Sequence, residues 1–88
     1  MDVEWNQSKA RTNEQKHGVS FLDALTVLSD MSAVTIADHV ADEERLVSTG
    51  MDCHGRILVV VYIYRDGDTI RIISARRATR NERKQYRG

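Results

Sequence analysis

The sequence predicts an α+β domain: a small antiparallel sheet with two N-terminal helices and one C-terminal helix. Three observations carry that reading. Phe21, Ala24, Leu25 and Leu28 recur at helical spacing, which gives one apolar stripe. Arg56 to Tyr64 is a β-branched, apolar run of strand length. An Asp66-Gly67 pair separates it from a second strand pattern, the strongest short signal for a hairpin.

The elements follow in order. Val3-Glu4-Trp5 opens as a short strand. Asn6 is placed to cap a polar helix over residues 7–17, and Gly18 after Lys16-His17 has the form of a left-handed stop. Ser20 caps a second helix, with Asp23 as its capping-box partner. Val34 to Ala37 reads as a short strand and Asp38 to Glu44 as a charged loop. Arg45 to Met51 is a strand, and Asp52-Cys53-His54-Gly55 turns the chain. Arg56 to Tyr64 is apolar on both faces and should be the central strand, covered on both sides. Arg71 to Arg76 returns antiparallel and runs into a helix over Arg77 to Arg87. The order is β-α-α-(β)-β-β-β-α.

Eighty-eight residues bound the architecture to one domain, residues 1–88. A chain this short buries only about 60–65% of its unfolded surface, so its core is thin. Cys53 is the only cysteine, so no disulfide framework compensates, and a reducing, cytoplasmic setting is expected. No charged-then-apolar leader and no membrane-length apolar run is visible.

The formal net charge of +0 conceals a polarity along the chain. Residues 1–44 carry nine acids against three bases; residues 45–88 carry ten bases against four acids. Such asymmetry points to a surface that meets a polyanion. Nine of those ten bases are arginine, whose planar fork of donors matches phosphate.

Three constellations could carry chemistry. Lys9, Asn13, Lys16 and His17 lie near one face of the first helix. They could form a polar site. Equally, Lys16 and His17 could complement the helix C-terminus while Asn13 bonds nearby backbone. Arg76, Arg77, Arg80, Arg83, Lys84 and Arg87 could bind phosphate, with Arg76, Arg80, Lys84 and Arg87 at helical spacing on one basic face, or form a solvated face balanced by the acidic half. Strand alternation puts Ile70, Ile72, Ser74 and Arg76 on one face, with Ser74 and Arg76 projecting together. Asp38, Asp42, Glu43, Glu44 and His39 lack a repeated ligand spacing, and Cys53-His54 alone is too short for a zinc site, so no metal or cofactor is expected.

Residue order adds a further signal. Val3-Glu4-Trp5-Asn6, Lys9, Asn13 and Lys16-His17-Gly18-Val19-Ser20-Phe21 with Ala24 resemble the opening of the BrnT toxin family. Glu44-Arg45, Gly50, Gly55-Arg56, Leu58 to Tyr62, then Arg71-Ile72-Ile73-Ser74-Ala75-Arg76 with Ala78, Glu82 and Tyr86 resemble its close. The resemblance covers essentially the whole chain. It departs at Asn6, where Asp is usual, and at Met31 after Asp30, where Pro is usual.

The resemblance implies a RelE-like fold and a metal-independent endoribonuclease that inhibits translation. It implies a BrnA-like ribbon-helix-helix antitoxin as partner and an RNA substrate, free or ribosome-associated. Operator DNA would be met only through the antitoxin, in autoregulation of the operon, and no membrane would be involved. Metal-free RNA cleavage needs a base for the 2′-hydroxyl, charge stabilisation of the phosphorane and an acid for the 5′-oxygen. Arg76 is expected to stabilise the phosphate, with Lys16 and His17 as proton-transfer or electrostatic groups and Glu82 orienting an arginine. Arg56, Arg77, Arg80, Arg83 and Lys84 are the expected RNA contacts. Two alternatives are a catalytically inactive toxin-like co-repressor and a generic basic RNA-binding protein, which would give salt-dependent binding and no product.

Overall fold

The computed structural model describes residues 2–40 and 43–87. Its elements run β1 (Val3–Glu4), α1 (Gln7–His17), α2 (Phe21–Val27), β2 (Val34–Val40), β3 (Glu43–Met51), β4 (Ile57–Arg65), β5 (Thr69–Arg77) and α3 (Arg80–Arg87). They form one five-stranded sheet in the order β1-β5-β4-β3-β2. The α+β class and the element order match expectation, but the sheet is mixed. The N-terminal strand β1 lies parallel to β5, and the other pairs are antiparallel.

Local signals explain the helices. The side chain of Asn6 accepts from the Lys9 amide at 3.0 Å, so this cap works without the more usual Asp. The C-cap Gly18 takes φ 69°, where a Cβ would be strained, and its amide donates to the Glu14 carbonyl at 2.8 Å. Ser20 Oγ accepts from the Asp23 amide at 3.0 Å. The Asp23 carboxylate does not complete the expected box; it turns to Arg56 instead, at 2.9 Å.

Helices α1 and α2 cover one face of the sheet. Phe21, Ala24 and Val27 of α2, with Val19, meet Leu58, Val60 and Tyr62 of β4 and Ile70, Ile72 and Ala75 of β5. Trp5 closes this core edge-to-face on Phe21, with ring centroids 6.0 Å apart. The opposite face is covered only at one end, where Ala78 and Tyr86 pack on Ile57, Val59 and Val47. Strand β4 is central, as expected. Its cover is complete from Ile57 to Val60 and gives out at Tyr64, which is 57% exposed.

Three expectations are corrected. First, Asp38 to Glu44 is not a loop. β2 continues to Val40 and β3 starts at Glu43, with His39 opposite Glu44 and Asp38 opposite Arg45. Complementary cross-strand charges extend the hairpin. Asp42 lies outside the described residues. Second, α3 begins at Arg80, not Arg77, so Arg76 and Arg77 stay in β5. A capping box sets that start: the Glu82 amide donates to Thr79 Oγ1, and the Thr79 amide donates to Glu82 Oε1 at 2.8 Å. Arg76 therefore does not share a helical face with Arg80, Lys84 and Arg87.

Third, a bulge breaks the alternation in β5. Ile72 pairs with Tyr62 and Ser74 with Val61, which leaves Ile73 without a partner. Ile70 and Ile72 face the helical core. Beyond the bulge that side is taken by Ala75, and Ser74 and Arg76 project together onto the opposite face. The Asp66-Gly67 hairpin is formed as expected, with φ 43° and 78°, both in the left-handed region that Asp and Gly tolerate.

Candidate active site

The polar site begins with Asn13. It is the buried residue of an otherwise polar helix. Its Nδ2 donates to the carbonyls of Val19 at 3.1 Å and Ala75 at 2.8 Å, and its Oδ1 accepts from the Ala75 amide at 3.2 Å. Short β1 pairs with β5 only at Ile70 and Arg71. Asn13 thus takes over the backbone groups of β5 further along, in place of a neighbouring strand. Of its two sequence readings, backbone bonding is the one formed, both locally and across 62 residues.

This clamp docks the C-terminal half of α1 beside the bulge. A groove of about 360 Å³ results, lined by Lys9, Thr12, Asn13, Lys16, His17 and Ser74 among others. Lys16 is exposed and His17 half-buried. The sequence-predicted Lys16 and His17 are thereby brought together with Ser74. Lys9 and Ile73 also border a second depression, walled by Arg45, Arg65, Arg71, Glu43 and Ile63.

Arg76 lies two residues beyond Ser74 on that face. Its guanidinium grips Glu82 fork to fork, Nη1 to Oε1 at 2.7 Å and Nη2 to Oε2 at 2.9 Å. Hydrogen bonding from Arg76 pulls the Glu82 carboxyl down to about 2, against desolvation, with help from the Thr79 amide. The same bonds raise the Arg76 guanidinium. The Arg76 side chain remains 40% exposed, so a permanently charged group is fixed in place and accessible.

The remaining predicted residues divide. Arg80, Arg83 and Lys84 are exposed on α3, and Arg83 donates to the Ala78 carbonyl at 3.0 Å; Arg77 is exposed opposite Leu58, on the sheet face that Arg76 does not share. Arg56 is elsewhere. It sits beside α2, bonded to Asp52 Oδ2 through Nε at 2.9 Å and to Asp23 through Nη2 at 2.9 Å. All three of its guanidinium nitrogens are thus bonded, the third to the Gly18 carbonyl at 3.5 Å, and its side chain is 23% exposed against 40% for Arg76. Tyr86 donates to Asp30 Oδ2 at 2.6 Å and so anchors α3. Sequence reasoning missed Arg45, Arg65 and Arg71 as members of one surface. They sit on three different strands, and only the pairing register assembles them.

A family model described as the ribonuclease toxin, BrnT, of type II toxin–antitoxin systems matches residues 5–82. The chain belongs to the BrnT family. Among solved structures, the crystal structure of the Brucella abortus ribonuclease toxin BrnT is similar, with a TM-score of 0.72 and 29% sequence identity. The match covers 91% of this chain and 99% of the Brucella protein. No curated protein matches the chain. Membership makes this BrnT-family chain a ribonuclease toxin of a type II toxin–antitoxin system. Both the Lys16–His17 groove and the Arg76–Glu82 pair fall inside the matched region. Among the described residues, no helix is long and apolar enough to cross a membrane.

Proposed function

We propose that residues 1–88 form one RelE-like toxin domain that cuts RNA without a metal ion and so inhibits translation. The observation that carries this reading is the docking by Asn13 of α1 against β5, which sets Lys16 and His17 beside Ser74, two residues before Arg76 on the same strand. Arg76 stabilises the negative charge that grows on the scissile phosphate. Glu82 positions it. His17 and Lys16 exchange protons with the 2′-hydroxyl and the leaving 5′-oxygen. Electrons move from the 2′-oxygen to phosphorus and out onto the 5′-oxygen, which leaves a 2′,3′-cyclic phosphate.

RNA runs along the open sheet face, past Lys9, Arg45, Arg65 and Arg71, and leaves over Arg77, Arg80, Arg83 and Lys84. Arg56 has a structural role here, because its donors are committed to Asp52 and Asp23. A BrnA-like ribbon-helix-helix antitoxin neutralises the toxin by covering this basic face, and the complex meets operator DNA through the antitoxin. The substrate and the lone exposed Cys53 both suit the cytoplasm.

The test is induction of the protein alone in a bacterial host, beside Arg76→Ala, with new RNA 5′ ends mapped and purified protein assayed with and without chelator. Discrete, Arg76-dependent, chelator-resistant cuts are expected. Intact RNA and normal growth from folded protein would instead identify a toxin-like co-repressor.

A further inference from the structure

A second cluster lies among residues that line neither the groove nor the basic depression. The turn between β3 and β4 brings Cys53 and His54 to Asp23 in the first turn of α2. Asp23 Oδ1 lies 3.3 Å from His54 Nε2 and 3.9 Å from Cys53 Sγ. One ligand atom from each residue falls within 4.8 Å of the other two. A tetrahedral zinc site with bonds of about 2.0–2.3 Å has ligand–ligand edges of about 3.3–3.7 Å. The three side chains thus span nearly one face of such a tetrahedron.

The backbone beneath is held. The Cys53 amide donates to Thr26 Oγ1 at 2.9 Å and the His54 amide to Asp52 Oδ1 at 3.0 Å. Asp52 is buried and also takes the Arg56 amide at 2.8 Å, which fixes the turn. The other oxygen of Asp23 accepts from Arg56, the kind of outer partner that orients a ligating carboxylate. Charge is balanced as well. Arg56 offsets Asp52, so Asp23 and a Cys53 thiolate would together neutralise a divalent cation.

We propose that Asp23, Cys53 and His54 form a three-ligand site for a borderline-soft divalent cation, Zn²⁺, with a fourth position open to water. The chemistry of the donor set selects the ion: thiolate and imidazole favour zinc over magnesium or calcium. Bound there, the ion ties α2 to the β3–β4 turn, across a separation of about thirty residues in sequence. It sits away from the proposed RNA path, so its role is to stabilise the fold.

The experiment titrates the metal-free, reduced full chain with Zn²⁺ alone and, separately, with Co²⁺. One Zn²⁺ per chain is expected, with a raised melting temperature and a thiolate-to-cobalt charge-transfer band. Cys53→Ser should remove that band, and both Cys53→Ser and His54→Gln should weaken binding at least tenfold while the circular dichroism spectrum is unchanged. His39→Gln, at an exposed histidine outside the cluster, should bind as the parent does. Failure of the parent chain to bind Zn²⁺, or retention of its affinity in folded Cys53→Ser and His54→Gln, would overturn the site.

Discussion

Arg76 at the end of β5 and Glu82 in the first turn of α3 form a bidentate ion pair, and the same carboxylate closes the capping box with Thr79. One side chain therefore starts the helix and aims the arginine. Glu82 is held at about 2, below its ordinary 4.5. A carboxyl depressed in the folded state stabilises above its unfolded pKa, and that contribution is lost as pH falls through the folded value. Stability should therefore drop as pH is lowered from about 4.5 to about 2, by about 1–2 kcal/mol after allowance for the solvent that reaches the pair. Glu82→Gln should flatten this part of the profile, as read by urea denaturation on either side of the window.

Asn13 should prove intolerant of its closest isostere. Asn13→Asp keeps the size but turns a donor facing the Val19 and Ala75 carbonyls into an acceptor. Asn13→Ala leaves the Ala75 amide and both carbonyls without this partner, at a cost of about 1–3 kcal/mol. Asn13→Asp should cost more at neutral pH and recover in acid, when the carboxyl regains a proton. Denaturation midpoints of the two variants against pH check the order.

Gly50 is required by proximity. A Cβ placed there would lie 2.9 Å from the Ala33 Cβ and 3.0 Å from Val27 Cγ1, and Val27 is fully buried. Gly50→Ala should destabilise by about 1–3 kcal/mol through overpacking. Its denaturation midpoint should fall without a change in slope. The proposed RNA-binding face lies elsewhere and should keep its affinity at a temperature where the variant is folded.

The proposed RNA path predicts a salt signature. Replacing Arg65 by Ala should weaken binding of a 2′-O-methylated, non-cleavable RNA and lower the slope of log K against log salt by about 0.7, the value for one single-strand phosphate contact. Arg56→Ala should leave that slope unchanged, since all three of its guanidinium nitrogens are bonded within the protein and its side chain is largely covered. Fluorescence anisotropy over a salt series measures both. An equal loss of slope in the two variants would return Arg56 to the RNA surface.

Much of the fold could be read locally. Asn6, Gly18 and Ser20 mark helix ends because each satisfies backbone groups within a few residues, and Asp66-Gly67 marks a turn by its own dihedral preference. The extent of β2 was hidden, because Asp38 and His39 look like loop residues until Arg45 and Glu44 stand opposite. The start of α3 was available in Thr79 and Glu82, yet the helical spacing from Arg76 obscured it. Of the proposed site residues, Arg76 stood out by its place at a strand end, while Lys16, His17 and Glu82 took their roles from the family resemblance. Their neighbours Arg45, Arg65 and Arg71 did not stand out, since sequence carries no record of register. Nor could it show that Asp23 meets Arg56 and His54, a contact made only in three dimensions.

The unpaired Ile73 gives β5 a kind of reading frame. Upstream of it the even-numbered residues fill the core; downstream the odd-numbered Ala75 does. Any exchange of side chain leaves that phase intact. Loss of Ile73 would restore strict pairing and keep both faces, since Ala75 and Arg76 would still stand opposite Val60 and Val59, whereas loss of Ala75 would set Arg76 opposite Val60 and carry it toward the helical core. A toxin of this build can drift by substitution and can even shed its bulge, yet a single-codon deletion at Ala75 would disarm it at once.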